Sequence, residues 1–384
     1  MSDKNELKKT VFYDLHVEHG AKMVGFAGYS MPLHYEMGIK QEHLYCRDTV
    51  GLFDVSHMGQ AELIAEDYET AAKALEKIVP GDVLKLKPER LRYSVLLNEK
   101  GGIEDDLMIT HRIQEDGSHV VGLVVNAGRK THDYAYISAY LPDDVDFKIL
   151  DDRSLLALQG PDAEKIMAVW CGEAVGMPYM SEIETNFFDA PCRVSRCGYT
   201  GEDGFELSLS NDDASRVAKM LMSHPDVELI GLGARDSLRL EAGFCLYGHD
   251  IDTATSPIEA DLSWIMNKRR RQEGGFLGDT VILDQVANGP SKRRVGLLPD
   301  GPAAPAREGA KLFNDQDQEI GVVTSGGFGP TIGGPVAMGY VTLPHDKLGT
   351  SIFVEVRGRK SLWRVTDLPF TPYRTYNAKK PTQH

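Results

Sequence analysis

Residues 268–294, KRRRQEGGFLGDTVILDQVANGPSKRR, divide the chain into two parts of different character. Basic clusters begin and end this segment, at 268–271 and 292–294, and the glycines and proline between them are typical of a connection. Before the segment, helix and strand patterns are mixed, whereas after it short apolar runs alternate with turns. We therefore place a boundary within 270–290 and expect an α+β body, residues 1–280, followed by a smaller β domain, residues 281–384.

Several segments of the body have a clear hydrophobic period. Apolar residues recur at helical spacing in 67–79, 161–170 and 212–223, which predicts three helices. A β-like run occupies 92–98. The runs 107–113 and 119–126, joined by the turn EDGS at 115–118, predict a hairpin.

The C-terminal part is rich in strand and turn signals. We predict strands near 321–323, 352–356 and 363–365, and turns at 299–301 and 324–330. The stretch GGFGPTIGGP, residues 326–335, is rich in glycine but lacks the GK[ST] ending and the following helix of a phosphate loop.

Composition excludes several classes of protein. The 384 residues are 42% hydrophobic, enough for a sizeable core, and carry a net charge of -15, which argues against non-specific nucleic-acid binding. The five cysteines are scattered without a CxxC pair, so neither a disulfide scaffold nor a zinc knuckle is expected. No apolar run approaches the roughly 18 residues of a membrane span.

The first ten residues bear on the cellular compartment. They are charged, include acidic residues, and contain neither arginine nor an apolar core, unlike a secretory signal or a transit peptide. We expect a soluble cytoplasmic protein, and a mitochondrial matrix protein if the chain is a matured form.

The first candidate site is GGIEDD, residues 101–106. Because side chains alternate along a strand, Asp105 and Asp106 should face opposite sides, so that one enters a cavity while the other is tied to structure. Such a carboxylate can orient or accept a proton from a nitrogen nucleophile, or stabilise a cationic iminium. A solvated turn is the alternative interpretation.

The second candidate is ARDSLRLEAG, residues 234–243, which predicts a helix that ends at Gly243. Arg235 and Arg239 are four residues apart and share a face, where two guanidinium groups could await a carboxylate or a heteroaromatic oxygen. A surface pair, or an arginine buried against Glu241 or Asp236, is the alternative.

The third candidate is GYTGEDGFE, residues 198–206, where a glycine-rich turn places Glu206 early on an alternating strand. A carboxylate can bind the paired N–H groups of a pterin or guanine edge in a bidentate way. A β-turn with a solvent-facing glutamate is the alternative. His57 and His249 have no metal-ligand spacing, so we expect them to be structural or to line a pocket, and we expect no metal site.

Eight segments, in this order along nearly the whole chain, resemble the aminomethyltransferase family, the T proteins of the glycine cleavage system. They are GYSMP (28–32), FDVSHMG (53–59), NEKGGIEDDLMI (98–109), ALQGP (157–161), GYTGEDGFEL (198–207), GLGARDSLRLEAG (231–243), LYGHDID (246–252) and GVVTSGGF (321–328). Tyr29, where the family often has Trp, and Gly329, where it has Ser, are small departures.

The resemblance implies a fold and a reaction. The fold would be a folate-binding body of two interleaved α+β subdomains with a C-terminal β-barrel. The reaction would transfer the methylene of an aminomethyl group, carried on the dihydrolipoyl arm of the H protein, to tetrahydrofolate. The products would be 5,10-methylenetetrahydrofolate and ammonia.

The resemblance also implies roles for individual residues. Asp106 would be the catalytic carboxylate near N5 and N10 of the folate, where it orients the amine and stabilises positive charge. Glu206 would pair with the pterin edge, and Arg235 would line the same cavity. The remaining expected folate contacts are Asn126 and Tyr93 at the ring or its linker, Trp264 near the tail, and Arg374 or Tyr376 from the C-terminal region.

Two questions remain open at this point. The H protein is usually acidic, so docking would need a basic face, for which 268–271 and 292–294 are candidates; an exposed charged loop is the alternative. The rival functions are a non-catalytic folate-binding iron–sulfur maintenance factor and a folate-dependent demethylase or dimethylglycine-type oxidoreductase domain. The KGCYxGQE-like segment of the first is absent, and no dinucleotide fingerprint precedes residue 50.

Overall fold

The structure is a computed structural model that describes residues 7–114 and 116–376. In chain order, the helices are α1 (Tyr13–Glu18), α2 (Gly38–Asp48), α3 (Tyr68–Leu75), α4 (Lys130–Tyr140), α5 (Ala163–Trp170), α6 (Asn211–Met222), α7 (Leu232–Glu241), α8 (Lys268–Glu273) and α9 (Asp279–Asn288). The strands of the body are β1 (Lys22–Phe26), β2 (Tyr29–His34), β3 (Val50–Asp54), β4 (Gly59–Ile64), β5 (Leu91–Leu97), β6 (Ile103–Ile113), β7 (His119–Val125), β8 (Asp146–Ile149), β9 (Arg153–Gln159), β10 (Ser181–Phe187), β11 (Ala190–Arg196), β12 (Gly204–Ser210) and β13 (Val227–Leu229). The remaining strands are β14 (Lys292–Pro299), β15 (Lys311–Phe313), β16 (Glu319–Gly329), β17 (Gly334–Thr342), β18 (Ser351–Val356) and β19 (Arg359–Thr366).

Two large sheets form the body. The chain contributes β3 to a six-stranded sheet, then forms a five-stranded sheet, and then returns to complete the six-stranded one. Strand β3 lies in a six-stranded sheet of order β10-β11-β12-β9-β3-β13, antiparallel to β9 and parallel to β13. The chain between β3 and β9 forms a five-stranded antiparallel sheet of order β5-β6-β7-β4-β8. The body therefore consists of two interleaved α+β subdomains, as the family resemblance implies.

Each sheet buries one face against helices. In the six-stranded sheet, Phe205 and Leu207 of β12 pack in one core with Ile166 of α5 and Val217 of α6. A separate core joins α3 to the five-stranded sheet. Burial of each large apolar side chain contributes roughly 1.5–3 kcal/mol, so these two cores hold the strands that carry the site.

The C-terminal strands close into a barrel of order β14-β17-β16-β15-β18-β19. Alternate residues of these strands point inward, and Trp363 of β19 is fully buried in the barrel core. The barrel thus confirms the expected fold class. The division of the chain between residues 280 and 281 stays a prediction.

The local patterns of the body predict its elements well. The three predicted helices correspond to α3, α5 and α6, although α3 ends earlier, at Leu75. Strands β6 and β7 form the predicted antiparallel hairpin. Residue 115 of the predicted turn, and residues 1–6 of the N-terminal segment, lie outside the described residues.

One predicted turn is wrong. Residues 324–329 belong to β16, which continues to Gly329 and pairs with β17 across Gly326 and Ala337. The glycines suggest a turn, but they serve close packing. A Cβ atom at Gly326 would lie 2.5 Å from the carbonyl oxygen of Ala306, so a larger residue would displace the neighbouring backbone.

The two basic clusters are mostly structural. Arg269 forms ion pairs with Glu76 and Asp82, and the Nη2 atom of Arg270 donates to the carbonyl oxygen of Glu76 at 2.6 Å. Buried Arg294 donates to the carbonyl oxygens of Ala260 and Gly243, both at 2.9 Å. These arginines connect α8 and the barrel to the body. Lys268 and Arg271 of the first cluster are exposed, so a docking role for this cluster stays a prediction.

Candidate functional site

Asp106 lies near the start of β6, where the backbone is tightly held. The amide of Ile103 donates to the carbonyl oxygens of Asp252 and Thr255, each at 3.1 Å. A Cβ atom at Gly102 would overlap the carbonyl oxygen of Thr253, so the second glycine of the motif is required by this close approach. The paired glycines therefore fix the position of the acidic residues that follow.

The two aspartates of β6 differ in exposure, but both of their carboxyl groups contact one amide. The side chain of Asp105 is fully buried, whereas Asp106 is half-buried. The Nδ2 atom of Asn126, just after β7, donates to Oδ1 of Asp106 at 2.7 Å and to Oδ1 of Asp105 at 2.9 Å. One amide thus ties both carboxyl groups to the neighbouring strand.

The surroundings of Asp106 disfavour its charged form. Burial, followed by the nearby charge of Asp105, raises the pKa of Asp106 to about 7, although interactions with Tyr93 and Asn126 act in the opposite direction. A carboxyl group with such a pKa can change its protonation state near neutral pH, which is useful in acid–base chemistry.

Two aromatic residues flank Asp106. Tyr93 of β5 stacks on Trp264, with ring centroids 5.7 Å apart and an interplanar angle of 24°. Burial, and then the charge of Asp106, raises the pKa of the Tyr93 hydroxyl, so Tyr93 remains neutral. Trp264 is 63% exposed, which makes it a large apolar surface at the edge of the site.

Glu206 and Arg235 are half-buried charged residues on different elements. Glu206 lies on β12, and Arg235 lies on α7 with its guanidinium 4.7 Å from the centroid of the Tyr199 ring. Neither residue forms an ion pair within 4.0 Å in the described part of the chain. Charged groups that are withdrawn from water without a partner are typical of ligand sites.

Glu206 and Arg235 nevertheless affect each other's pKa. Burial raises the pKa of Glu206, and the charge of Arg235 partly offsets that shift. Burial likewise lowers the pKa of Arg235, and Tyr199 and Glu206 partly offset the effect. The pair can present a carboxylate and a guanidinium to one bound molecule.

Tyr199 contacts Arg235 and is a further candidate that the sequence motifs did not single out. Its ring lies between Arg235 and Phe244, with the Tyr199 and Phe244 centroids 5.6 Å apart at 17°. Its hydroxyl donates to the carbonyl oxygen of Cys245. The sequence signal for Tyr199 was its place in the glycine-rich turn that leads to Glu206.

Arg239, the second arginine of the predicted pair, is not available for a ligand. It is buried and forms ion pairs with Asp250 at 2.8 Å and with Asp236 at 2.7 Å. The prediction that two guanidinium groups are free for a ligand is therefore wrong for Arg239. Its contact with Asp236 agrees with the alternative interpretation, an arginine buried against that residue.

The C-terminal candidates lie in a different set of contacts. Arg374 donates to Glu202 at 2.6 Å and to the carbonyl oxygen of Arg47 at 2.6 Å. The guanidinium of Arg196 lies 3.8 Å from the centroid of the Tyr376 ring. Within the described ranges, no hydrogen bond joins Arg374 or Tyr376 to the other candidate residues, so their contact with a ligand stays a prediction.

The two histidines differ in their environments. Burial, with the charges of Arg235 and Lys130 acting in the same direction and Asp54 opposing them, lowers the pKa of His57 to about 4. His57 is therefore neutral and lies close to Arg235, in agreement with a pocket-lining role. His249 is near the surface and pairs with Glu308 at 2.8 Å. Residues 7–114 and 116–376 contain no group of three or more His, Cys, Asp or Glu placed to hold a metal ion.

Comparison with known families decides the assignment. The model of the GCVT N-terminal domain matches residues 12–270, and that of the glycine cleavage T-protein C-terminal barrel domain matches residues 292–371. The chain belongs to the glycine cleavage T-protein family.

Individual relatives agree with this assignment to the T-protein family. The chain is 45% identical to the mitochondrial aminomethyltransferase of Mesembryanthemum crystallinum, covering 97% of this chain and 91% of that protein. It is 41% identical to the mitochondrial aminomethyltransferase of Homo sapiens, covering 97% and 92%. The crystal structure of glycine cleavage system aminomethyltransferase T from Bartonella henselae superimposes with a TM-score of 0.89 at 42% identity, covering 97% of this chain and all of that one.

These findings confirm that the chain is an aminomethyltransferase of the T-protein family, as its motifs indicate. They support neither rival function, the iron–sulfur maintenance factor or the demethylase. The relatives that match this chain over nearly their full length are named as aminomethyltransferases. In the part of the chain that the structure describes, the helices are too short or too polar to span a membrane.

Proposed function

We propose that this T protein transfers the methylene of an aminomethyl group, carried on the dihydrolipoyl arm of an H protein, to tetrahydrofolate, and releases ammonia. The observation that carries the proposal is the set of charged groups without ion pairs, Glu206 and Arg235, near the half-buried acid Asp106. Tyr199 lies near both Asp106 and Arg235, since the charges of these two residues both affect the pKa of its hydroxyl.

The residues present fit a folate. A pterin has adjacent N–H groups that a carboxylate can accept in a bidentate way, and Glu206 has no competing ion pair among the described residues. Arg235 can bind a heteroaromatic oxygen or an acid group of the same ligand. Tyr93 and Trp264 offer stacked aromatic faces for a flat ring system or its linker.

Asp106 supplies the acid–base chemistry in this proposal. In its ionised form the carboxylate can orient an attacking amine and stabilise positive charge that develops on the one-carbon unit. Asn126 holds Oδ1 of Asp106 in place at 2.7 Å. Because hydrogen bonds fix the carboxylate before the reaction, little reorganisation is needed when charge develops.

The H-protein partner follows from the family and not from a recognised surface. Five arginines of the two basic clusters, Arg269, Arg270, Arg271, Arg293 and Arg294, bond to other parts of this chain. Part of the positive charge of the clusters is therefore engaged within the chain, while Lys268 and Arg271 are exposed, and a docking role for this face stays a prediction. Neither a nucleic acid nor a membrane is needed for this reaction.

The cellular compartment of the protein is also a proposal. The two aminomethyltransferase relatives named above are mitochondrial proteins, and the mitochondrial matrix and the cytoplasm are the two candidate compartments. The matrix is the corresponding site if this chain is a matured form, and fractionation of the native cell distinguishes the two.

A choice of substrates tests the proposed function. The purified protein is given tetrahydrofolate with either aminomethyl-loaded H protein or a methylated small amine or thioether, and 5,10-methylenetetrahydrofolate and ammonia are measured. The proposal predicts both products only from loaded H protein. Turnover of the methylated compound without turnover of loaded H protein would instead indicate a demethylase. Folate binding without either product would indicate a non-catalytic factor.

A further inference from the structure

Three carboxyl groups converge on Asn126 and the start of α4. Asp105 and Asp106 both accept hydrogen bonds from the Asn126 amide, at 2.9 Å and 2.7 Å. Asp133, on the first turn of α4, is a close neighbour of Asp105, and each of these two buried carboxyl groups has an Oδ2 atom without a donor among the described residues. Asp133 is thus connected to Asp106 through Asp105 and Asn126.

The Asp105–Asp133 contact requires a proton. Both side chains are fully buried, and the Oδ2 atom of each lacks a donor from any other described group. Two ionised carboxylates have only acceptors, so they would repel each other in this geometry. A single proton between the two Oδ2 atoms satisfies both at once.

The neighbouring donors indicate which residue holds that proton. Asp105 accepts from the Asn126 amide and is further stabilised by the backbone amide of Asp106, both of which favour its charged form. Asp133 has one close polar neighbour besides Asp105, the His132 ring, with Nδ1 3.2 Å from Oδ1. The charge is therefore better placed on Asp105 and the proton on Asp133.

We propose, building on the catalytic role proposed for Asp106, that Asp133 is a positioning residue that stays protonated and donates to Asp105. The Asp133–Asp105 pair holds Asn126 in place and keeps one negative charge behind Asp106.

The pKa shifts agree with this arrangement. Burial and the hydrogen bond with Asp105 raise the pKa of Asp133 well above its usual range, and the charge on Asp105 is the second cause of the raised pKa of Asp106. The charge of Arg129 opposes the shift of Asp133, but it is shared with Glu104 at 3.3 Å. The other titratable groups near the three carboxyl groups in the described residues include Tyr93, His132, Tyr134, Tyr199, Cys245 and Tyr247.

Infrared spectroscopy tests the protonation of Asp133 without substrate or turnover. At about pH 8.5, exposed carboxyl groups and most of Asp106 are ionised. The difference spectrum of the wild-type protein minus Asp133→Asn should show the C=O stretch of a protonated carboxylic acid, with a shift in D₂O. Absence of that band would show that Asp133 is ionised and would overturn the proposal. Asp144→Asn, at an exposed position, is the matched control and should remove no such band.

Turnover of the same variants tests the positioning role. Asp133→Asn keeps a donor toward Asp105, so its rate should stay within about threefold of wild type, with the same pH profile. Asp133→Ala removes the donor and should lower the rate at least about tenfold. Asp105→Asn removes the charge behind Asp106 and should move the acid limb of the pH–rate profile to lower pH.

Specific outcomes separate this proposal from the proposed function. A large rate loss in Asp133→Asn, or an acid limb that does not move in Asp105→Asn, would contradict the positioning role. Full activity of Asp106→Asn would instead contradict the proposed catalytic role, while the infrared band of Asp133 would be unaffected. If Asp133→Ala does not fold, the infrared band and the Asp105→Asn profile still decide the question.

Discussion

The Nη1 atom of Arg239 lies 2.8 Å from the Oδ2 atom of Asp250 in a buried ion pair. Arg235, one helical turn earlier on α7, has no ion-pair partner among the described residues and faces Tyr199. Two arginines at helical spacing therefore have different tasks: Arg239 joins α7 to the Asp250 loop, and Arg235 remains available for a ligand.

Substitution of each arginine by methionine should separate these tasks. Arg235→Met removes a charged hydrogen-bonding partner of the ligand and should weaken tetrahydrofolate binding by about 10- to 100-fold with little change in stability. Arg239→Met leaves Asp250 buried without its cation and should lower the free energy of unfolding by about 3–5 kcal/mol. Calorimetric titration and chemical denaturation measure the two effects, and equal effects of both variants on stability would refute the distinction.

Glu206→Gln should weaken folate binding and leave the fold intact. The amide has one acceptor oxygen in place of two, so it cannot accept both N–H groups of the pterin edge with a full charge. We expect a loss of about 1.5–3 kcal/mol, or roughly 10- to 100-fold in Kd. Glu228→Gln, at an exposed position of β13, is the control and should bind folate as wild type does. Unchanged affinity of Glu206→Gln would remove Glu206 from the site.

The pH dependence of methylene transfer should have an acid limb near pH 7. The pKa of Asp106 is raised to about 7, so the group is mostly protonated and neutral below that pH and mostly ionised above it. Because the ionised form orients the amine, the rate should fall about tenfold for each pH unit below the limb. Single-turnover rates over a pH series measure the limb. A flat profile through this range would show that ionisation of Asp106 does not control the step.

The ion pairs of α8 should contribute to stability. Arg269 lies 2.6 Å from Asp82 and also contacts Glu76 and Glu273, so Arg269→Ala leaves the buried carboxylate of Asp82 without its cation, while Glu76 keeps Arg270 at 3.3 Å. We expect a loss of about 3 kcal/mol in the free energy of unfolding. Lys268→Ala, at the exposed neighbouring position, should change stability by less than about 0.5 kcal/mol. A weakened association with H protein in Arg269→Ala, without a loss of stability, would restore the docking interpretation of this cluster.

Local patterns in the sequence predict the elements of the fold because they arise from local physics. The alternation in 107–113 and the helical spacing in 161–170 reflect which side of each element is buried. The position of β3 in the six-stranded sheet could not be predicted in this way. Its pairing with β9 joins residues about a hundred positions apart, and no local period reports such a contact.

The sequence predicts the residue types of the candidate site, but it does not predict which of two similar residues remains free for a ligand. The motifs identify Asp106, Glu206 and Arg235, yet spacing alone gives Arg235 and Arg239 equal standing. Only the tertiary partner Asp250 separates them. Asp133 was missed for the same reason, since an isolated aspartate on a helix shows its buried contact only when Asp105 of another element is placed beside it.

The most direct measurement is a single turnover with Asp106→Asn beside the wild-type protein. Each is mixed with aminomethyl-loaded H protein and tetrahydrofolate, and ammonia release is followed against a control without folate. The account predicts rapid folate-dependent release by the wild type, and a variant that folds and binds folate normally but is slower by at least about a hundredfold. Release by Asp106→Asn at the wild-type rate would contradict the account, because the carboxylate would then have no part in the transfer.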